Sequence, residues 1–187
     1  MLNYNSPLVK ENSYSELSMK VINPIMKLII RGKKREFLSG VGKAINMILP
    51  TESCTSSTSN DTTALWLSPD EWMILSNNVI DKNTNSYEQE NHLINNISKI
   101  NLGAVVDVTD QYVLINIEGK KIFDLLSTGC PFNFNDFRNK KGGVIQSLMA
   151  KIDIIVHHKE INNVNLLVRR SFSEHLYSFL SDAASRI

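Results

Sequence analysis

Strand-like runs divided by a few turn residues constrain this chain more than any other feature of its sequence. "ALWLSPDEWMIL" (64–75) holds two of them, Ala64–Leu67 and Trp72–Leu75, so four residues must turn the chain between them. "VIQSLMAKIDIIVHH" (144–158) and "VNLLVRR" (164–170) read as an antiparallel pair turned around Glu160–Asn163. Separate helices accompany these hairpins without regular strand–helix alternation, which points to the α+β class.

The other elements follow from periodicity. "MKLIIRG" (26–32) is a short strand, and Phe37, Val41, Ala44, Ile45 and Ile48 predict a helix over 37–48 that Pro50 closes. "TESCTSSTSNDTT" (51–63) reads as a loop with nothing to bury, and a second polar loop spans 77–91. A helix follows near 88–100, with Leu93, Ile94, Ile97 and Ile100 on one face, and then strand-like sequence from Ala104 to Glu118. "KKIFDLLSTG" is a helix with Gly129 at the position after its end. In the closing helix Ser171 and Glu174 have capping-box spacing, and Phe172, Leu176, Phe179, Leu180 and Ala183 form the apolar stripe. Residues 1–20 read as a polar tail, mobile or ordered only against a partner; 21–103 and 104–187 then form two small α+β subdomains.

Asp70 and Glu71 raise the question of acid/base chemistry. Ser68 can cap a helical turn, Pro69 suits its first position, Glu71 completes a capping box, and Leu67 and Trp72 take the staple positions. Carboxylates in a first turn are stabilised as anions, whereas an acid/base pair needs a pocket and a raised pKa. The acids are therefore read as punctuation between strands.

Composition excludes several function classes. The 187 residues are 42% hydrophobic and 21% charged, with 20 basic and 19 acidic side chains and a net charge of +1. That balance exerts no general pull on nucleic acid or anionic lipid. Lys33-Lys34-Arg35 reads as a solvated strand end. No apolar run approaches the roughly 20 residues of a membrane span, and the N-terminal sequence lacks a signal-peptide core, so a cytoplasmic location is expected. Cys54 and Cys130 are too few for a disulfide framework or a thiolate metal site.

Other motifs carry no chemistry by themselves. "GVGKA" (40–44) would need Gly at 37 and Ser or Thr at 44 to be a phosphate loop, where the chain has Phe37 and Ala44. Gly142-Gly143 make no dinucleotide fingerprint. His157 and His158 fall on opposite faces of a strand without an accompanying acid or thiol cluster, and His175 is expected on a solvent face. Cys130 has no base partner and reads as a buried or half-buried thiol. Arg169-Arg170 could bind an anion or an acidic partner, or lie on the surface with a stem against Phe172.

The ordered set of "ALWLSPDEWMIL", "GAVVDVTDQYVLINIEGKKIFDLLSTGCPFNF" and "LLVRRSFSEHLYSFLSDAA" resembles the gamma subunit of heterotetrameric sarcosine oxidase, from about residue 26 to the end. Tyr112 and the segment Phe132–Asn135 depart from that family's pattern, which bears on partner contacts there. The resemblance implies a fold of two intimately packed subdomains, similar to the folate-binding domains of the glycine-cleavage T-protein group. It also implies a complex that oxidatively demethylates sarcosine to glycine, giving peroxide and, with tetrahydrofolate, a methylene-folate. FAD, FMN and NAD then belong to the alpha and beta subunits and zinc to the delta subunit, with no catalytic, cofactor or metal residue in this chain.

A non-catalytic subunit of a permanent complex contributes buried interface, typically about 2,000 Å² or more. Trp66, Trp72, Arg169, Arg170 and the 1–20 tail are the candidate contacts, since aromatic and Arg side chains are enriched at hot spots. Two other readings stay open. One is a stand-alone folate-dependent aminomethyl-transfer protein using Asp107 or Asp110, although such enzymes are about twice this length. The other is a self-contained homo-oligomeric binding module.

Overall fold

The computed structural model describes residues 6–22, 24–77 and 86–187. The chain starts with β1 (Glu11–Tyr14) and β2 (Leu17–Val21), then runs through β3 (Met26–Arg31), α1 (Arg35–Ile45), β4 (Ser56–Ser59), β5 (Thr62–Ser68) and β6 (Glu71–Ser76). Next come α2 (Glu88–Leu93) with a π-helical turn (Ile94–Ser98), β7 (Ala104–Asp107), β8 (Tyr112–Gly119) and α3 (Ile122–Ser127). β9 (Val144–Met149), β10 (Ile152–Glu160), β11 (Asn163–Arg169) and α4 (Ser173–Ala184) close it. Two compact units result: one is Ile25–Thr109, the other joins Met1–Pro24 to Asp110–Ile187.

The Ile25–Thr109 unit is a five-stranded antiparallel sheet in the order β4-β5-β6-β3-β7. Strand alternation sends Met26, Leu28 and Ile30 of β3, Trp72 and Ile74 of β6, and Ala64 of β5 into one core. Phe37, Val41 and Ile45, four residues apart on α1, meet them there, as do Leu93 and Ile97. Each fully buried side chain of this size contributes about 2 kcal/mol. α1 stops at Asn46, which turns left-handed (φ 51°), and Met47 N–H donates to the Gly42 carbonyl at 3.1 Å.

The split unit is a six-stranded sheet in the order β1-β2-β8-β11-β10-β9. Val113, Ile115 and Ile117 of β8 face a core shared with α3 and α4. Leu176, Tyr177, Leu180 and Ala184 form the buried face of α4, and Tyr177 Oη donates to the Met19 carbonyl at 3.2 Å, tying helix to strand.

Several expectations change. Glu11–Tyr14 and Leu17–Val21, expected in a tail, are strands, because Leu17, Met19 and Val21 alternate into the core and pair with β8. The compact units divide near residues 24 and 109 rather than at 20 and 103. The Ser/Thr-rich stretch holds β4, paired with β5 across a turn at Asn60 (φ 51°). The helix expected over 37–48 ends at Ile45, leaving Ile48 outside it, and that over 88–100 becomes α2 plus a π-helical turn, leaving Ile100 58% exposed.

Residues 144–158 are two strands around Ala150 and Lys151, both at positive φ. α4 begins two residues after Ser171, because a 3₁₀ turn over Arg170–Phe172 intervenes and Ser173 Oγ donates to the Arg170 carbonyl at 2.8 Å. The expected capping box is therefore not formed, and Phe172 leaves the stripe at 48% exposure. The polar loop over 77–91 falls largely on residues 78–85, outside the described residues, as do residues 1–5 of the expected tail.

Candidate interaction site

The acids of "LSPDEW" lie in a hairpin turn, not a helical one. β5 and β6 pair with Trp66 opposite Trp72 and Ser68 opposite Glu71, with a bulge between. That register leaves Pro69 and Asp70 as the turn. The Ser68 hydroxyl donates to Asp70 Oδ1 at 2.9 Å, and Asp70's own carbonyl accepts the Gly32 N–H at 3.0 Å. Lys33 lies 3.6 Å from Asp70, and Arg31 Nε lies 3.4 Å from Glu71. The Ser68 hydrogen bond, with Lys33 and Arg31 adding their charge, holds the Asp70 carboxyl below its usual range. Asp70 is thereby spent on the turn, and Glu71 on its ion pair with Arg31.

The two tryptophans come together. Trp72 is 3% exposed, packs on Phe37 at 5.9 Å between centroids, and donates Nε1–H to the Pro50 carbonyl at 2.8 Å. Trp66 is half-buried, and with Trp72, Lys33, Leu38 and Pro69 it lines a hollow of about 360 Å³. Arg169 is exposed at the end of β11, next to half-buried Arg170; both border a shallow depression with Pro7, Gln111 and Ser171. Tyr112 pairs with Arg169 across β8 and β11.

The remaining sequence candidates divide between side chains with a hydrogen-bond partner and exposed ones. Asp107 Oδ1 accepts the Thr109 N–H at 2.8 Å, and Asp110 is exposed. Glu90, not singled out from the sequence, has its carboxyl raised by burial and further by the charge of Asp107, against a 3.5 Å hydrogen bond from the Tyr87 N–H. Cys130 is buried, with Sγ 3.4 Å from Ser147 Oγ, while Cys54 and His175 are exposed. Among the described residues no group of three or more His, Cys, Asp or Glu side chains is placed to hold a metal ion. No helix among them is long and apolar enough to cross a membrane.

His157 and His158 take opposite faces of β10, both buried. His158 Nδ1 lies 3.1 Å from the Phe137 carbonyl and 3.0 Å from that of Lys140, and its ring meets Phe123 edge-on at 5.3 Å. It thus pins the 137–143 loop to the sheet. Burial, with the charges of Lys159 and His158, pushes His157 down to about 4. The folded chain therefore keeps His157 neutral where the unfolded chain binds a proton. Its contribution is complete above about pH 6.5 and is lost as pH falls toward 4, by about 3 kcal/mol in all. Urea midpoints between pH 7 and 4.5 should fall, and His157→Gln should remove about one proton from that dependence.

The outer face of α1 carries a feature the sequence reading did not identify. Arg35, Leu38, Ser39, Gly42 and Lys43, with the returning chain over 46–51, line a groove of about 650 Å³. Ile48 stands at its lip, 87% exposed, between buried Met47 and Leu49. Met47, Ile48 and Leu49 are all apolar, so the sequence carries no alternation there to mark an extended segment.

Two antiparallel sheets, each bearing helices, define a protein of the α+β class. A family model described as "Sarcosine oxidase, gamma subunit family" matches residues 32–186, and the chain belongs to that family. A heterotetrameric sarcosine oxidase from Corynebacterium sp. U-96, solved with pyrrole 2-carboxylate, is similar in structure: TM-score 0.81, 19% identity, covering 94% of this chain and 88% of that one. The glycine cleavage system aminomethyltransferase T from Bartonella henselae is also similar, with TM-score 0.60 and 15% identity over 88% of this chain and 45% of that one. At these identities the likeness is one of fold. No curated protein matches the sequence significantly.

Proposed function

We propose that this chain is the non-catalytic gamma subunit of a heterotetrameric sarcosine oxidase and contributes buried interface and stability to it. The match to the gamma-subunit family over residues 32–186 carries this reading. The structural employment of Asp70, Glu71, Asp107 and His158 supports it. In this reading alpha, beta and delta subunits are the partners and hold FAD, FMN, NAD and zinc. The complex acts in the cytoplasm and converts sarcosine to glycine with peroxide and formaldehyde, or methylene-tetrahydrofolate, as further products. Trp66, Arg169 and Arg170 are proposed contacts.

Co-expression with candidate partner subunits tests the proposal. A stoichiometric assembly with a flavin absorbance spectrum is expected, while the chain purified alone should be colourless. The likeness to aminomethyltransferase T favours a second reading, a stand-alone folate-binding transfer protein. Tetrahydrofolate titrated into the isolated chain separates the two: saturable micromolar binding would support the second and count against the first.

A further inference from the structure

We infer that the groove on the outer face of α1, with Ile48 at its lip, seats an apolar segment flanked by carboxylates from a partner subunit of the assembled oxidase. This inference rests on the subunit reading and adds where, and by what chemistry, one partner docks.

The first observation is the presentation of Ile48. A large aliphatic side chain at 87% exposure is not unusual alone, but the backbone that carries this one is tied down by hydrogen bonds. Ser57 Oγ donates to the Ile48 carbonyl at 2.6 Å, and Ser59 Oγ donates to that of Asn46 at 3.4 Å. Met47 N–H binds the Gly42 carbonyl at 3.1 Å, and the Trp72 indole binds that of Pro50 at 2.8 Å. Four hydrogen bonds on five consecutive residues fix the knuckle before any partner arrives. An anchor ordered in advance loses little entropy on binding.

The second observation is charge. The groove wall presents Leu38 and small Ser39 and Gly42 between two exposed cations, Arg35 and Lys43. Neither cation forms an ion pair among the described residues, whereas the nearby Arg31 and Lys33 do. Among the described residues no acid lines the groove. An apolar floor between two basic rims is complementary to an apolar stripe with Asp or Glu on either side. A second copy of this groove would bring cations against cations, which disfavours self-association through it.

The test uses the full chain co-expressed with candidate partner subunits. Ile48→Asp, at a site that buries almost nothing in the chain itself, should leave the fold intact. It should weaken assembly roughly 30-fold, as expected for loss of a central anchor. The double variant Arg35→Glu/Lys43→Glu should weaken it as well, and added salt should then restore assembly rather than weaken it. Ile161→Asp, at a 78% exposed turn position in the other unit, should assemble like the wild type.

Wild-type assembly with Ile48→Asp and the double variant assembling equally well would overturn the inference and leave the subunit reading standing. A wild-type chain that joins no complex would remove both. Self-association of the isolated chain in sedimentation, lost in Ile48→Asp, would overturn the inference in favour of a second copy.

Discussion

Trp72→Ala is expected to destabilise the Ile25–Thr109 unit by about 4 kcal/mol, most of what a marginally stable domain has to lose. The indole is 3% exposed and lies between β5, through its pairing with Trp66, and Phe37 of α1. Truncation leaves a cavity that neither the sheet nor the helix can close, since both are fixed by their own hydrogen bonds. It also removes the donor to the Pro50 carbonyl, worth about 1 kcal/mol. Trp72→Phe retains the packing and should cost about 2 kcal/mol, from the hydrogen bond and the smaller ring. Urea unfolding followed by circular dichroism measures both. A loss under about 1 kcal/mol for the alanine variant would show that Trp72 is not a core residue.

Gly119→Ala should cost about 3 kcal/mol or more, in the split unit. Gly119 closes β8 at φ +131°, a region that side chains rarely enter, and an added Cβ would stand 2.1 Å from the Glu16 carbonyl oxygen. That oxygen belongs to backbone that also accepts the Lys120 N–H at 3.1 Å, so it cannot swing away. Leu17 pairs with Gly119, and the strain should be felt as loss of β2 from the sheet. Faster amide exchange over Leu17–Val21, with a lowered melting temperature, is the expected signature. Gly40→Ala is the contrast: the added methyl meets the flexible end of Ile97 at 3.0 Å, and the helical gain of about 1 kcal/mol offsets that crowding.

The sequence was legible where local pattern and tertiary environment agree. The strands flanking "SPDE", the pair ending at Arg169, and the position of Asp70 and Glu71 at the turn between two strands all follow from strand periodicity and turn chemistry. The form of the turn does not, because Ser-Pro-Asp-Glu suits a first helical turn and a hairpin turn equally; the pairing of Trp66 with Trp72 decides it. The hairpin at Ala150-Lys151 has no glycine or asparagine to signal it, and both residues take φ values of 50° and 67° that such side chains do not favour. β2 carried its period-2 signal in Leu17, Met19 and Val21, but polar β1 masked it.

The candidate contacts were legible by residue type only. Trp66, Arg169 and Arg170 are partly or fully accessible, while Trp72 is spent on the core. The α1 groove was hidden because Ile48 has helical spacing from Val41 and Ile45. Only the left-handed turn at Asn46 removes it from that face.

In the proposed role this chain supplies surface and leaves bond-breaking to its neighbours. Peroxide release from sarcosine, assayed on the purified chain alone and on the flavin-containing assembly, tests this most directly. Peroxide is expected from the assembly and none from the chain. Sustained turnover by the chain alone would contradict it.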